Sequence, residues 1–145
     1  MTVIVFGSAN VDLVMPVSTF PMPGETVLTQ SYHPVPGGKG ANQALAVKRA
    51  GVPVNFVGAV GKDHFADCAL SLLREEAVGL VATIVSDRPT GCAVVIVDTA
   101  GENSIVVASG ANLDVRAHQV SDALLQSNRV LVLQQEVSFE ENESL

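Results

Sequence analysis

Two short stretches of this chain are apolar without a break, Val3-Ile4-Val5-Phe6 and Val130-Leu131-Val132-Leu133, and a third, Val54 to Val60, is nearly so. A strand with one wet face alternates apolar and polar residues, so unbroken runs belong to strands covered on both faces. Parallel sheets flanked by helices are where such strands are found. The intervening segments supply helices. Gly37-Gly38-Lys39-Gly40 opens one that runs through about Ala50 and is closed by Gly51. Asp63 caps a second, through Ala77, with Phe65, Cys68, Ala69, Leu72 and Leu73 near one face. Asp114 is the expected cap of a third, through about Gln126, and Val81 to Val85 reads as a short strand. The expectation is an α/β fold with a largely parallel sheet.

Two segments depart from that scheme. Glu25 to Val35 is more polar and follows the turn signal Pro21-Met22-Pro23-Gly24, which predicts an exposed strand pair or flap. Thr90 to Val97 and Ser104 to Ala108 flank Asp98-Thr99-Ala100-Gly101, a hairpin signal. These pieces are expected to form a separate small sheet. No internal repeat, linker or low-complexity tract interrupts the chain. Its acidic end, Ser138 to Leu145, reads as the first turn of a further helix.

Composition narrows the partners. The formal net charge is −7 over 145 residues, which disfavours nucleic acid and anionic membranes. A local anion site stays open, because backbone N–H groups bind phosphate without a positive protein. Cys68 and Cys92 form no CxxC pair and lie far in sequence from His33, His64 and His118, so no zinc site is expected. Both read as reduced thiols of a cytoplasmic protein, Cys68 on a helix and Cys92 on a strand. No signal peptide and no apolar run of membrane-spanning length is visible.

Three groups of residues carry candidate chemistry. Gly7-Ser8-Ala9-Asn10-Val11-Asp12 directly follows the first buried strand, where open α/β sheets bind ligands. Asn10 offers a donor and an acceptor and Asp12 two acceptor oxygens, a set that suits neighbouring sugar hydroxyls. The same residues equally suit an Asx-turn that merely ends the strand. Pro36-Gly37-Gly38-Lys39-Gly40-Ala41-Asn42-Gln43-Ala44 brings close backbone approach to a helix start whose free N–H groups favour acceptor oxygens or an anion. Asn42, one turn in, can aim its amide at the same ligand. This run is neither a Walker A motif nor a G-x-G-x-x-G fingerprint, and a flexible loop with a helix cap also accounts for it. Glu136, just after the last strand, can accept a hydroxyl or stay solvated.

Together these residues resemble the PfkB carbohydrate kinases in their ribokinase form, over essentially the full chain. The matching segments are Gly7 to Asp12, Phe20-Pro21-Met22-Pro23-Gly24-Glu25-Thr26, Gly37 to Ala44, Thr90-Gly91, Gly101-Glu102-Asn103 and Gly110-Ala111-Asn112. The resemblance implies that Asn10 and Asp12, with Val11 between them, hold ribose hydroxyls. It implies that Gly38, Lys39, Gly40, Ala41 and Asn42 wrap the sugar and that Glu136 contacts it from the next strand end. Segments of about 25–35 and 90–108 would form a β lid that commonly pairs two subunits into a homodimer. The implied reaction is transfer of the γ-phosphoryl group of Mg-ATP to O5 of D-ribose, with potassium as a monovalent cation.

One departure is large. The second signature of that family, a Gly-Ala-Gly-Asp motif carrying the catalytic base and the anion hole, does not occur among these residues. The chain therefore reads as the N-terminal part of a ribokinase-like domain, residues 1–145, without the catalytic and nucleotide-binding half and without the cation sites. No catalytic residue and no metal ligand is assigned here. Two alternatives stay open: a non-catalytic sugar-binding or dimerisation module, and part of a sister kinase such as a deoxyribokinase.

Overall fold

The computed structural model describes residues 2–127 and 130–145, apart from the side chain of Ser127. Strand β1 (Val3–Phe6) is the centre of a three-stranded parallel sheet. It pairs with β4 (Val54–Val57) on one side and β9 (Val130–Leu133) on the other. All four β1 residues are buried, as the unbroken apolar run requires. Val3 and Val5 face one core with Phe56, Ala44, Leu45, Ala69, Leu70 and Leu73. Ile4 and Phe6 face a second, with Val57, Ala111, Val115, Val120 and Val137. Phe6 and Phe56 are fully buried, each contributing about 1.5–3 kcal/mol relative to an exposed ring.

Helices α1 (Lys39–Arg49) and α2 (His64–Glu75) cover the first face. Gly51 follows α1 with φ +81°, the left-handed closure expected of it. Asp63 caps α2 by accepting the Ala66 N–H at 3.1 Å, and it also accepts the Thr90 N–H and hydroxyl, both at 2.7 Å. Phe65 does not join the buried stripe: it is exposed, and Leu70 takes its place in the core.

A second sheet stands apart, in the order β3-β2-β7-β8. Its members are β2 (Asn10–Pro16), β3 (His33–Gly37), β7 (Gly91–Val97) and β8 (Asn103–Ala108). The hairpin over 98–101 forms as expected, with the Asp98 carboxylate accepting the Ala100 and Glu102 N–H groups. The flap does not. Residues 25–31 carry no strand, and Leu28 there is 90% exposed. Pairing begins only at His33, where β2 supplies a partner.

Other boundaries also move. Val54 to Val60 is broken at Gly58 into β4 and β5 (Ala59–Gly61), and β5 pairs with β6, which is Ile84–Ser86 rather than 81–85. The helix expected from Asp114 is absent. Asp114 ends a 3-10 turn, Gly110–Asp114, a second covers Ala117–Gln119, and α3 is only Asp122–Ser127. The Asp114 carboxylate is occupied by the Ser86 hydroxyl at 2.5 Å and by Arg88, so it is not free to cap a helix. Strand β9 was expected to be buried. It is an edge among the described residues, with Val130 and Leu133 each 40% exposed. The acidic end forms the short helix α4 (Phe139–Glu143).

Candidate functional site

The chain runs from β1 into β2 through only three residues, Gly7, Ser8 and Ala9, so the end of the central sheet adjoins the start of the second sheet. Asn10 to Asp12 therefore begin a strand rather than form the Asx-turn that the sequence also permitted. Period two sends Asn10 and Asp12 to one face and Val11 into the core, where it is fully buried. β7 lies beside them in register, Asp12 opposite Ala93, and β8 follows with Val107 opposite Ala93 and Ile105 opposite Val95.

These strands, the start of α1 and the turn after β9 enclose a hollow of about 160 Å³. Asn10, Asp12, Gly38, Lys39, Asn42 and Glu136 line it, with Ala93, Val95, Ile105 and Val107 as an apolar wall. Val11, Gly40 and Ala41 do not line it. Gly40 and Ala41 lie behind, buried against Ser8. A second hollow of about 310 Å³ adjoins the first and shares Asn10, Val107 and Glu136 with it.

The start of α1 differs from the expectation of free N–H groups. The Lys39 N–H donates to Glu136 Oε2 at 2.9 Å, the Gly40 N–H to Ser8 Oγ at 3.2 Å and the Ala41 N–H to the Ser8 carbonyl at 2.8 Å. The anion at this helix terminus is thus internal: Glu136 occupies it. Glu136 also accepts the Ser8 hydroxyl at 2.7 Å and the Lys39 ammonium at 2.5 Å. Only a chain without side chains at 38 and 40 fits so close. Gly38 has φ +89°, and a Cβ on Gly40 would lie 2.6–2.8 Å from backbone atoms of Gly7 and Ser8.

Three polar groups remain unspent at the hollow. Among the described residues nothing donates to the Asp12 carboxylate, and neither the Asn10 NH₂ nor the Asn42 amide has a partner. Acceptor and donor groups side by side, against an apolar wall, are what a polyhydroxylated ring requires.

A profile described as pfkB family carbohydrate kinase matches residues 2–143. The chain belongs to the PfkB family of carbohydrate kinases. A ribokinase of Bacillus subtilis is 41% identical over 139 residues, covering 94% of this chain and 47% of that protein. A crystal structure of ribokinase from Thermotoga maritima superposes with a TM-score of 0.90 at 33% identity, over 98% of this chain and 48% of that one. A structure of Arabidopsis thaliana ribokinase complexed with ribose and ATP gives a TM-score of 0.80 at 30% identity, over 94% of this chain and 46% of that one. The ribokinase-like α/β fold is thereby established. The PfkB chain spans about half the length of the curated relatives it matches.

Several residues around this hollow were not among the candidates named from the sequence. The wall residues Ala93, Val95, Ile105 and Val107 were legible as a period-two pattern across one hairpin. Ser8 and Asn112 carried no signal of their own, since a serine and an asparagine near turns are ordinary. The electrostatics of the site depend on their neighbours too. Burial pushes the Asp12 carboxyl above its usual range, and Glu136 adds to this against the pull of Lys39. Burial acts on Glu136 as well. The Lys39 N–H, the Lys39 ammonium and the Ser8 hydroxyl outweigh it and hold Glu136 below the usual glutamate range.

The signs for stability are opposite. Glu136, depressed in the folded chain, contributes stability that is present above its unfolded pKa and lost as pH falls through its folded one. Asp12, raised, costs stability while ionised and is relieved as pH falls through its folded pKa. Lys39→Met is expected to raise the titration midpoints of both carboxyls, read by carbon-detected NMR. Midpoints equal to those of the parent chain would remove Lys39 from this account.

Proposed function

We propose that this chain is the sugar-recognising part of an ATP-dependent kinase that phosphorylates D-ribose at O5, with phosphoryl transfer carried by residues outside these 145. The observation that carries the reading is the convergence of unpartnered groups of Asn10 and Asp12, from the start of β2, and of Asn42, from the first turn of α1, on one hollow of about 160 Å³. Drug-sized ligands occupy about 300–1,000 Å³, so a hollow of this size suits a single monosaccharide. The membership in a family of carbohydrate kinases and the likeness to a ribokinase complexed with ribose and ATP support the choice of ligand.

In this reading Asp12 accepts from one or two hydroxyls, Asn10 and Asn42 complete their hydrogen bonds, and Val95, Ile105 and Val107 cover the ring. Glu136 reaches the sugar from the turn after β9 while holding the start of α1. Asp12 is a binding group, not the base: the Gly-Ala-Gly-Asp motif that serves phosphoryl transfer in the family is not in this sequence. Among the described residues no three His, Cys, Asp or Glu side chains converge in a group that could hold a metal ion. In this proposal Mg-ATP and potassium belong with the residues that carry phosphoryl transfer.

The second sheet is the lid in this proposal, and a second copy of the chain is its partner. All six residues of its edge strand β8 are exposed, Val106 among them at 70%. A cytosolic setting suits Cys68 and Cys92, both free thiols. No helix among the described residues is long and apolar enough to cross a membrane.

Isothermal titration calorimetry with D-ribose and 2-deoxy-D-ribose, beside a coupled assay for ADP, tests the proposal. Saturable heat with ribose and no ATP turnover by these residues is the expected result. Absence of ribose binding overturns the ligand, stronger binding of the deoxy sugar favours a sister kinase, and turnover overturns the division of labour. Sedimentation of the same sample reports the dimer.

A further inference from the structure

The hollow of about 310 Å³ beside the sugar pocket is lined in part by Asn112, from the 3-10 turn Gly110–Asp114. Asn112 is 1% exposed and sits 102 residues along the chain from Asn10, yet its amide nitrogen donates to Asn10 Oδ1 at 2.7 Å. Its own oxygen accepts the Ala9 N–H at 3.0 Å.

These two bonds fix a sequence of polarities. A backbone N–H can only donate, so the atom of Asn112 facing Ala9 is its oxygen. The atom of Asn112 facing Asn10 is then NH₂, which can only donate, so Asn10 turns its oxygen inward. What Asn10 has left for the hollow is NH₂, two donors and no acceptor. Gly91 leaves the space for this contact, because a Cβ there would fall on Asn10 Oδ1 and Asn112 Nδ2. Gly91 sits opposite Asn10 in the β2–β7 pair. Backbone of the β1–β2 junction, side chain of the 3-10 turn and a missing side chain on β7 thus combine to set one amide.

We propose that Asn112 is a positioning residue of the sugar site, which locks the Asn10 amide with its NH₂ toward the ligand. The inference rests on the sugar-binding reading given above. Asp12 beside it, while ionised, can only accept. A hydroxyl that donates to Asp12 and accepts from Asn10 uses both of its capacities, and that complementary pair is what the lock preserves.

The test begins without ligand. In the wild-type chain the Asn112 side-chain NH₂ protons are expected to exchange slowly with solvent, and those of Asn10 fast. Equal rates, or the reverse order, overturn the proposal whatever the sugar does. Ribose is then titrated into the wild type and Asn112→Asp, which keeps an acceptor for Ala9 but forces Asn10 to present its oxygen. The expected loss of affinity is about three- to tenfold, with shifts of the Asn10 NH₂ resonance on binding in the wild type alone. In an Asn10→Ala background the same change should cost nothing further. A loss that persists there marks Asn112 as structural only and overturns the proposal, as does no loss in the first background. If Asn112→Asp fails to fold, Gly91→Ala, which breaks the same contact from the other side, takes its place in the same cycle. A wild type that binds no ribose defeats the sugar reading, while the exchange order still decides the lock.

Discussion

Alanine at position 40 is expected to cost the chain stability and ligand binding together. Within a helix, glycine to alanine ordinarily stabilises by roughly 0.5–1 kcal/mol, because alanine has less backbone freedom to lose. Here the opposite sign is expected. The added Cβ would lie 2.6 Å from the Ser8 nitrogen, 2.7 Å from the Gly7 carbonyl carbon and 2.8 Å from the Ser8 oxygen. All are backbone atoms of the junction between the two sheets, so no side chain can turn aside. Overpacking of this kind costs about 1–3 kcal/mol, occasionally more. Relief requires α1 to move off Ser8, which stretches the Gly40 to Ser8 and Lys39 to Glu136 hydrogen bonds. Thermal unfolding should show a lower Tm, and calorimetry should show ribose heat reduced or gone. A Tm equal to or above that of the parent chain would mean that the helix start is not pressed against Gly7 and Ser8.

Asp12→Ala is expected to weaken ribose binding by more than tenfold while leaving the fold intact. A hydrogen bond to a charged group contributes about 1.5–3 kcal/mol, and about 1.4 kcal/mol is a factor of ten. The structural cost is small or negative. Burial and the nearby Glu136 both disfavour the Asp12 carboxylate, and nothing among the described residues donates to it. Removing it should leave Tm unchanged or slightly raised, the usual exchange between function and stability at a binding site. Affinity and Tm moving in opposite directions is therefore the signature. Unchanged affinity would take Asp12 out of the site, and a large fall in Tm would show that its carboxylate supports the fold.

The parts of this molecule legible in its sequence are those whose partners are local or generic. Val3–Phe6 announces a doubly covered strand by its own composition, and Asp63 announces a helix start through a cap three residues away. Asp98 does the same for its hairpin. The misjudged segments depend on distant partners. Asp114 is an excellent cap in isolation, but Ser86 and Arg88 claim its carboxylate. Residues 25–31 have strand-like content and no strand to pair with. Asn10 to Asp12 look like a turn until β3 and β7 arrive on either side.

The site divides along the same line. Asn10, Asp12, Asn42 and Glu136 were chosen from residue type and place after a strand or glycine run, and they do converge. The wiring behind them was not readable. Ser8 and Asn112 act through single hydrogen bonds to residues 32 to 128 positions away, and no local pattern encodes such pairs.

The short passage from β1 into β2 has one more consequence. Ser8 and Ala9 are completely inaccessible to solvent, and their amides are clasped by Gln134 and Asn112, so the joint has no slack. Asn10 and Asp12 ride on one sheet, while Asn42 and Glu136 are fastened to the other. The gap between these jaws is therefore set by this buried bend together with Gly38, the one residue between β3 and α1. A lineage could retune which ring fits by altering residues packed on that bend, leaving every group in the mouth of the vise as it was.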